Sequence, residues 1–268
     1  LVLGVIVVSA MLGFTVSSMK NLERNRTHEE IARSARFIGM SLERDMQETG
    51  VSLESTVAFG SLSVRADTVT ICRVPFEPNE ARPHPLIPPA GTVTPLPAGG
   101  TCGATGVNVD TNGEPFDLEV GDIARLQVNN TRHVILVNGV TISGNDAAVS
   151  FTADSTLMGY PAGLSQGMLL DRFNTFVQKL DLTVYYSDGT ALYRAGSLKP
   201  NGEPDGEPIS YGIESWDAWI VFADGSEAEN ANPYDTDGGN DYDDQLGVKI
   251  QAELSGDHPL LRDGTSGV

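Results

Sequence analysis

Cysteine is nearly absent. Cys72 and Cys102 are the only two in 268 residues, too few for a disulfide-stapled miniprotein or for a zinc site built from cysteines alone. Histidine is scarce as well. His28, His84, His133 and His258 stand far apart, none at metal-ligand spacing from a Cys or Glu, so each is expected at the surface. Positive charge is in short supply: 17 Lys and Arg against 36 Asp and Glu leave a net charge of −19. No basic cluster offsets it locally, which argues against non-specific binding to nucleic acid. Neither G-x-x-x-x-G-K-[ST] nor G-x-G-x-x-G occurs, so no phosphate-cradling loop is legible. With 40% hydrophobic and 20% charged residues, the chain is neither disordered nor a polytopic membrane protein, and its length suffices for one large or two small domains.

What is present is unevenly placed. Residues 202–248 hold thirteen Asp or Glu and no Lys or Arg, whereas residues 1–50 hold six of the Lys and Arg. The simplest reading of the acidic stretch is a solvated surface that keeps an exported protein soluble. Residues 1–19 carry no charge at all and open as Leu1-Val2-Leu3-Gly4-Val5-Ile6-Val7-Val8. At about 1.5 Å per residue this run measures roughly 28 Å as a helix, close to one hydrocarbon thickness. A secretory signal peptide would show a basic start and a small-residue cleavage site instead.

Residues 20–49 contain no proline, and Ile31, Ala35, Ile38, Leu42 and Met46 recur at spacings that put them on one stripe of a helix. Glu29, Arg33, Arg36, Glu43 and Arg44 fall on the opposite face. Gly50 stands where a left-handed residue would end it. The pattern predicts one nearly continuous helix over residues 1–49, roughly 70 Å long. A coiled-coil stalk would keep its apolar repeat as heptads, and here the stripe stops with the helix.

The segment Arg36-Phe37-Ile38-Gly39-Met40-Ser41-Leu42-Glu43-Arg44-Asp45-Met46-Gln47-Glu48-Thr49-Gly50, following a bare apolar run, resembles the first helix of type IV pilins and type II secretion pseudopilins. It is most similar to PilW-type minor pilins, related to the J-type pseudopilins. Thr68-Val69-Thr70-Ile71, Gly121-Asp122, Leu192-Tyr193-Arg194 and Gly212-Ile213-Glu214-Ser215 extend the resemblance downstream. It implies an α+β fold of the type IV pilin kind, a long N-terminal helix packed on an antiparallel β-sheet head. The division would be a hydrophobic then amphipathic pilin helix at 1–50 and a globular β-rich head at 51–268. It implies Val2, Leu3, Val5, Ile6, Val7 and Val8 as helix-packing residues of a filament core, with Gly4 and Gly13 for close approach or local melting. The implied partners are copies of the chain, other pilins, a prepilin peptidase that leaves a methylated N-terminus, an inner-membrane assembly platform and a cytoplasmic assembly ATPase. The family's cleavage site is not in this sequence and its first acid is Glu23, so Leu1 is expected roughly nine residues inside the mature helix.

After Gly50 the periodicity becomes alternating. Candidate strands are 68–74, 123–128, 134–137 with 140–142, 148–152, 180–186, 191–194, 216–222 and 246–254. Asn129-Asn130, Asp188-Gly189 and Asp224-Gly225 provide turns. Eight of the fifteen prolines lie from Pro75 to Pro97, followed by Gly99-Gly100, an irregular excursion bounded by Cys72 and Cys102. A disulfide there would remove about 3.7 kcal/mol of unfolded-chain entropy. An exported head favours that bond, and two buried thiols are the alternative.

Three further motifs bear on chemistry. Gly163-Leu164-Ser165-Gln166-Gly167 matches G-x-S-x-G with His258 downstream, but Met158-Gly159-Tyr160-Pro161-Ala162 precedes it where a nucleophile elbow needs a buried strand. The chain is therefore not read as an enzyme. Asp235, Asp237, Asn240, Asp241, Asp243 and Asp244 crowd hard oxygen ligands that suit calcium, although their spacing is not that of an EF-hand and a solvated loop is the simpler reading. No other cofactor is expected. Asn25-Arg26-Thr27 and Asn129-Asn130-Thr131 fit the N-glycosylation pattern and are discounted.

The expected function is a structural subunit of a type IV pilus or type II secretion pseudopilus. It would be single-pass in the inner membrane before assembly and extracellular in the filament afterwards. Burying about 1,000 Å² of apolar helix would favour assembly by about 25 kcal/mol relative to water and far less relative to lipid, hence the need for a motor. The competing expectation is a single-span, membrane-anchored extracellular binding module, an adhesin or sensor.

Overall fold

A helix, α1, spans Val2–Gln47 without a proline to interrupt it. It closes with short-range bonds from Glu48 N–H to Asp45 C=O and from Thr49 N–H to Met46 C=O, and the chain then turns at Gly50, whose φ of 72° lies in the left-handed region. The computed structural model describes residues 2–53, 61–65, 67–76, 81–87, 106–128, 131–153, 175–199, 201–229, 239–240 and 244–255, and their side chains except those of 2–13, 128, 131–134, 152, 153 and 175.

Thirteen strands follow among these residues: β1 (Leu62–Arg65), β2 (Thr68–Arg73), β3 (His84–Pro85), β4 (Gly106–Asp110), β5 (Ile123–Val128), β6 (Thr131–Ser143), β7 (Asp146–Ala153), β8 (Thr175–Ser187), β9 (Ala191–Leu198), β10 (Pro204–Tyr211), β11 (Ile213–Phe222), β12 (Glu227–Ala228) and β13 (Gln245–Leu254). Every pairing among them is antiparallel. Ten strands form one sheet, ordered β1-β2-β8-β5-β6-β7-β4, with β3 and β9 also on β8 and β10 on β9. The spine is β8. Its first half pairs with β5, Val177 opposite Leu126, and its second half with β2, Leu182 opposite Cys72. The remaining three make a small sheet, β12-β11-β13.

Alternation decides the faces. Along β11, Ile213, Trp216, Ala218, Ile220 and Phe222 are buried while Glu214 and Asp217 are exposed. That apolar row joins Leu62, Val64, Val69, Ile71, Tyr185 and Leu192 of the larger sheet, and Ile38 and Leu42 of α1, in one core where the two sheets face each other. A second core around Leu126, Ile135, Val149 and Phe151 lies at the far end of the large sheet.

The architecture corrects the fold class expected from the sequence, a long helix packed on an antiparallel head in the type IV pilin manner. The β body dominates: thirteen strands stand against a single helix among the described residues. Nor does the helix lie along a sheet. Of the expected stripe, only Ile38 and Leu42 are buried, Ile31 and Met46 are half-buried and Ala35 is exposed. The body closes its own core sheet against sheet, so it needs the helix only as a stopper at one corner.

His84 is a second correction. Its side chain is 5% exposed, with Nε2 2.7 Å from Asp117 Oδ1 and its ring 4.7 Å from Phe116, so it is a buried, paired residue and not a surface one.

Candidate functional site

Where α1 meets the body, polar groups converge among apolar ones. Asp45, one turn from the helix end and 7% exposed, accepts hydrogen bonds at Oδ2 from Tyr185 Oη (2.6 Å) and Arg194 Nε (2.7 Å), and at Oδ1 from Arg194 Nη2 (3.2 Å). Ser41 Oγ, one turn earlier on α1, lies 2.9 Å from the same tyrosine hydroxyl. The three elements are thereby fixed to one another: the helix by Ser41 and Asp45, β8 by Tyr185, β9 by Arg194. The two-pronged contact from Arg194 sets the roll of the helix as well as its position, because a planar guanidinium accepts one orientation of a carboxylate. A second tie flanks it, Arg73 on β2 bridging Glu48 and Asp181, the latter at 3.3 Å.

Burial raises the Asp45 carboxyl, but the hydrogen bonds from Arg194 and Tyr185 and the charges of Arg194 and Arg73 outweigh it, leaving the group below its ordinary range. Burial and the bond to Asp45 push the Tyr185 hydroxyl up to about 12. At neutral pH the cluster is therefore a charged pair bridged by a neutral phenol.

Beyond this root the helix leaves the body. Phe14, Val16, Met19, Leu22, Phe37 and Met40 are exposed large apolar side chains on it, 75% for Phe14 and 68% for Leu22. The expected polar face is where the sequence put it, with Glu29, Arg33, Arg36, Glu43 and Arg44 all exposed. Val2, Leu3, Gly4, Val5, Ile6, Val7, Val8 and Gly13 sit on α1, and their side chains lie outside the described residues. Among the described residues no helix is long and apolar enough to cross a membrane.

The remaining expected sites fall largely outside the described residues. Cys72 is buried on β2, while Cys102 lies outside the described residues. Of the calcium set, Asp235, Asp237, Asp241 and Asp243 lie outside them too; Asn240 donates its amide to Ser226 Oγ (2.6 Å) and Asp224 Oδ2 (3.3 Å), and Asp244 leads into β13. Among the described residues no group of three or more His, Cys, Asp or Glu is placed to hold a metal ion. Ser165 and His258 also lie outside them.

Sequence reasoning missed the Asp45–Tyr185–Arg194 cluster. Its signal was there: Arg44-Asp45 and Leu192-Tyr193-Arg194 are two of the segments that carry the resemblance, and 149 residues separate the acid from the base it meets. Compared with known proteins, the chain matches no family model, no curated protein and no solved structure.

Proposed function

We propose that this chain is a structural subunit of a type IV pilus or type II secretion pseudopilus filament and polymerises through its N-terminal helix. The observation that carries the reading is the projecting part of α1: Phe14, Val16, Met19 and Leu22 stand exposed, continuous with a sequence that bears no charge before Lys20. A helix that keeps large apolar side chains away from its own body needs another apolar surface to cover them. Neighbouring helices of the same kind provide one in a filament, and lipid provides one before assembly. Copies of the chain, other pilins, an inner-membrane platform, an assembly ATPase and a prepilin peptidase are the partners of this reading, and the inner membrane followed by an extracellular fibre is its location.

The cluster at the helix root fits a load path. Force applied along α1 reaches the sheet through Asp45 and Arg194 and through Glu48 and Arg73, ionic contacts on two different strands of the body, β9 and β2. The Cys72–Cys102 disulfide belongs to the proposal as a further stabiliser of an exported head, and residues 235–244 are read first as a solvated acidic loop, with calcium as the alternative.

Substituting Ile6→Asp tests it. A charge in the apolar run is expected to abolish fibres in electron micrographs of cells or reconstituted material, while the thermal midpoint of the body stays within about 2 °C of the parent. Normal fibres from that variant overturn the packing account. A chain that stays solitary and membrane-held, parent and variant alike, is instead an anchored binding module.

A further inference from the structure

The described strand edges are not equally guarded. Strand β10 is interrupted by Pro204 and Pro208 and by two register shifts, β1 has four residues, and β4 is bridged at Val109 by Leu86. Proline, bulges and brevity are the usual defences of a sheet edge. Strand β13 has no proline and is not short, and its two register shifts against β11 lie at its ends, leaving Val248 to Ala252 in unbroken register. It runs ten residues, Gln-Leu-Gly-Val-Lys-Ile-Gln-Ala-Glu-Leu, and among the described residues pairs only with β11.

Its backbone faces are assignable. Ser255 N–H bonds to Gly212 C=O, so residues 255, 253, 251 and 249 direct their amides and carbonyls at β11. Val248, Ile250, Ala252 and Leu254 direct theirs to the other side. The side chains of these four face the core and remain only partly buried, although their cross-strand partners Ile213, Trp216, Ala218 and Ile220 are 1–4% exposed. A core row that is sealed on one strand and open on the next is short of one strand's cover.

The charge pattern says what kind. Lys249, the one cation on β13, is drawn inboard: its ammonium lies 5.2 Å from the Trp219 ring centre on β11 and bonds Glu227 on β12 at 2.7 Å. The outer face beside the edge is left with Gln251 and Glu253 on β13 and with Glu214 and Asp217 on β11, all exposed. Glu214 and Asp217 belong to the stretch 202–248 that holds thirteen acids and no base, and Glu253 adds a further acid beyond it. We propose that β13 is a docking edge for an extended partner segment that alternates apolar and basic residues. The apolar side chains complete the row of Val248, Ile250, Ala252 and Leu254, and the basic ones lie over Gln251 and Glu253. A second copy of this chain is the poorer occupant, since it would bring another acidic face against this one.

The probe is a fluorescein-labelled ten-residue peptide alternating arginine and valine, added to the detergent-solubilised full chain at about 0.15 M salt, where screening is near 8 Å. Binding at least tenfold tighter than that of the same peptide with one central valine replaced by proline is expected, with slowed amide exchange at Val248, Ile250, Ala252 and Leu254. Glu253→Arg, an exposed change that leaves the backbone intact, is expected to weaken the arginine peptide severalfold and to strengthen a glutamate-valine peptide. Ala252→Pro removes one outward N–H and is expected to abolish binding of both. Equal affinity for the two arginine peptides, or no change in exchange on β13, overturns the proposal. So does prior protection of those four amides in the chain alone with no peptide binding, which would put residues 256–268 or a second copy on the edge.

Discussion

Asp45 is a carboxylate that the fold uses twice, once as the anchor of α1 and once as the charge that keeps Arg194 and Tyr185 in register. Its folded value is depressed, so its contribution to stability is present above the ordinary aspartate range near 3.9 and is lost as the pH falls through the lower folded value. Arg194 is 38% exposed, which screens the pair, and a hydrogen-bonded charge of this kind contributes about 2 kcal/mol. Asp45→Asn is therefore expected to cost about 2 kcal/mol in urea unfolding at pH 7, with the gap to the parent closing below about pH 4. A gap that persists undiminished at pH 2 would mean that shape, not charge, is what the residue provides. At this scale the sequence is least legible. Arg44-Asp45 and Tyr193-Arg194 are visible as residues, but nothing local announces that acid and base meet across 149 positions. His84 illustrates the converse: spacing alone made it a surface residue, yet it is buried and its polar partner is Asp117, 33 positions away.

Elements were legible wherever periodicity is local. The helix ended at the glycine expected to end it, and Asp188 and Asp224 cap their turns through the side chain, Asp188 Oδ1 accepting the N–H groups of Thr190 and Ala191 and Asp224 Oδ1 that of Ser226. Where pattern and pairing disagree, pairing wins. Asn138-Gly139 reads as a break between two short strands, yet β6 runs through it, absorbing the irregularity as a register shift between Val137 and Gly139. Strand β10 was illegible because Pro204, Gly206 and Pro208 are poor strand formers, tolerated here because among the described residues it pairs with β9 alone. The amphipathic stripe of α1 showed a face but not how much of it docks, since that depends on the extent of a body assembled from distant strands. Two glycines in this helix region give opposite expectations. Gly50 has a positive φ and a Cβ there would meet Ser61 at 3.0–3.2 Å, so Gly50→Ala is expected to destabilise by about 1–2 kcal/mol. Gly39 is exposed in mid-helix with nothing within 4 Å, so Gly39→Ala is expected to stabilise by up to about 1 kcal/mol. Denaturant midpoints of the two variants measure both, and equal signs would refute the assigned helix end.

On the scale of the whole molecule the charge is segregated. Residues 1–50 carry six Lys or Arg and six Asp or Glu, so the remainder holds 17 − 6 = 11 bases and 36 − 6 = 30 acids, and the entire net charge of −19 resides in the β body. A filament built on neutral helices must bring those bodies side by side. The helix packing is apolar and indifferent to salt to first order, whereas the repulsion between bodies is screened, with a Debye length falling from about 10 Å at 0.1 M to about 3 Å at 1 M. The two forces therefore separate by ionic strength. Assembly through α1 predicts that raising salt from about 0.05 to 0.5 M shifts the detergent-solubilised chain towards larger species in sedimentation, with Ile6→Asp showing no such shift. Dissociation on adding salt would mean that ion pairs between bodies, not apolar helices, hold copies together, and the acidic bodies would then need a basic surface from another protein to meet.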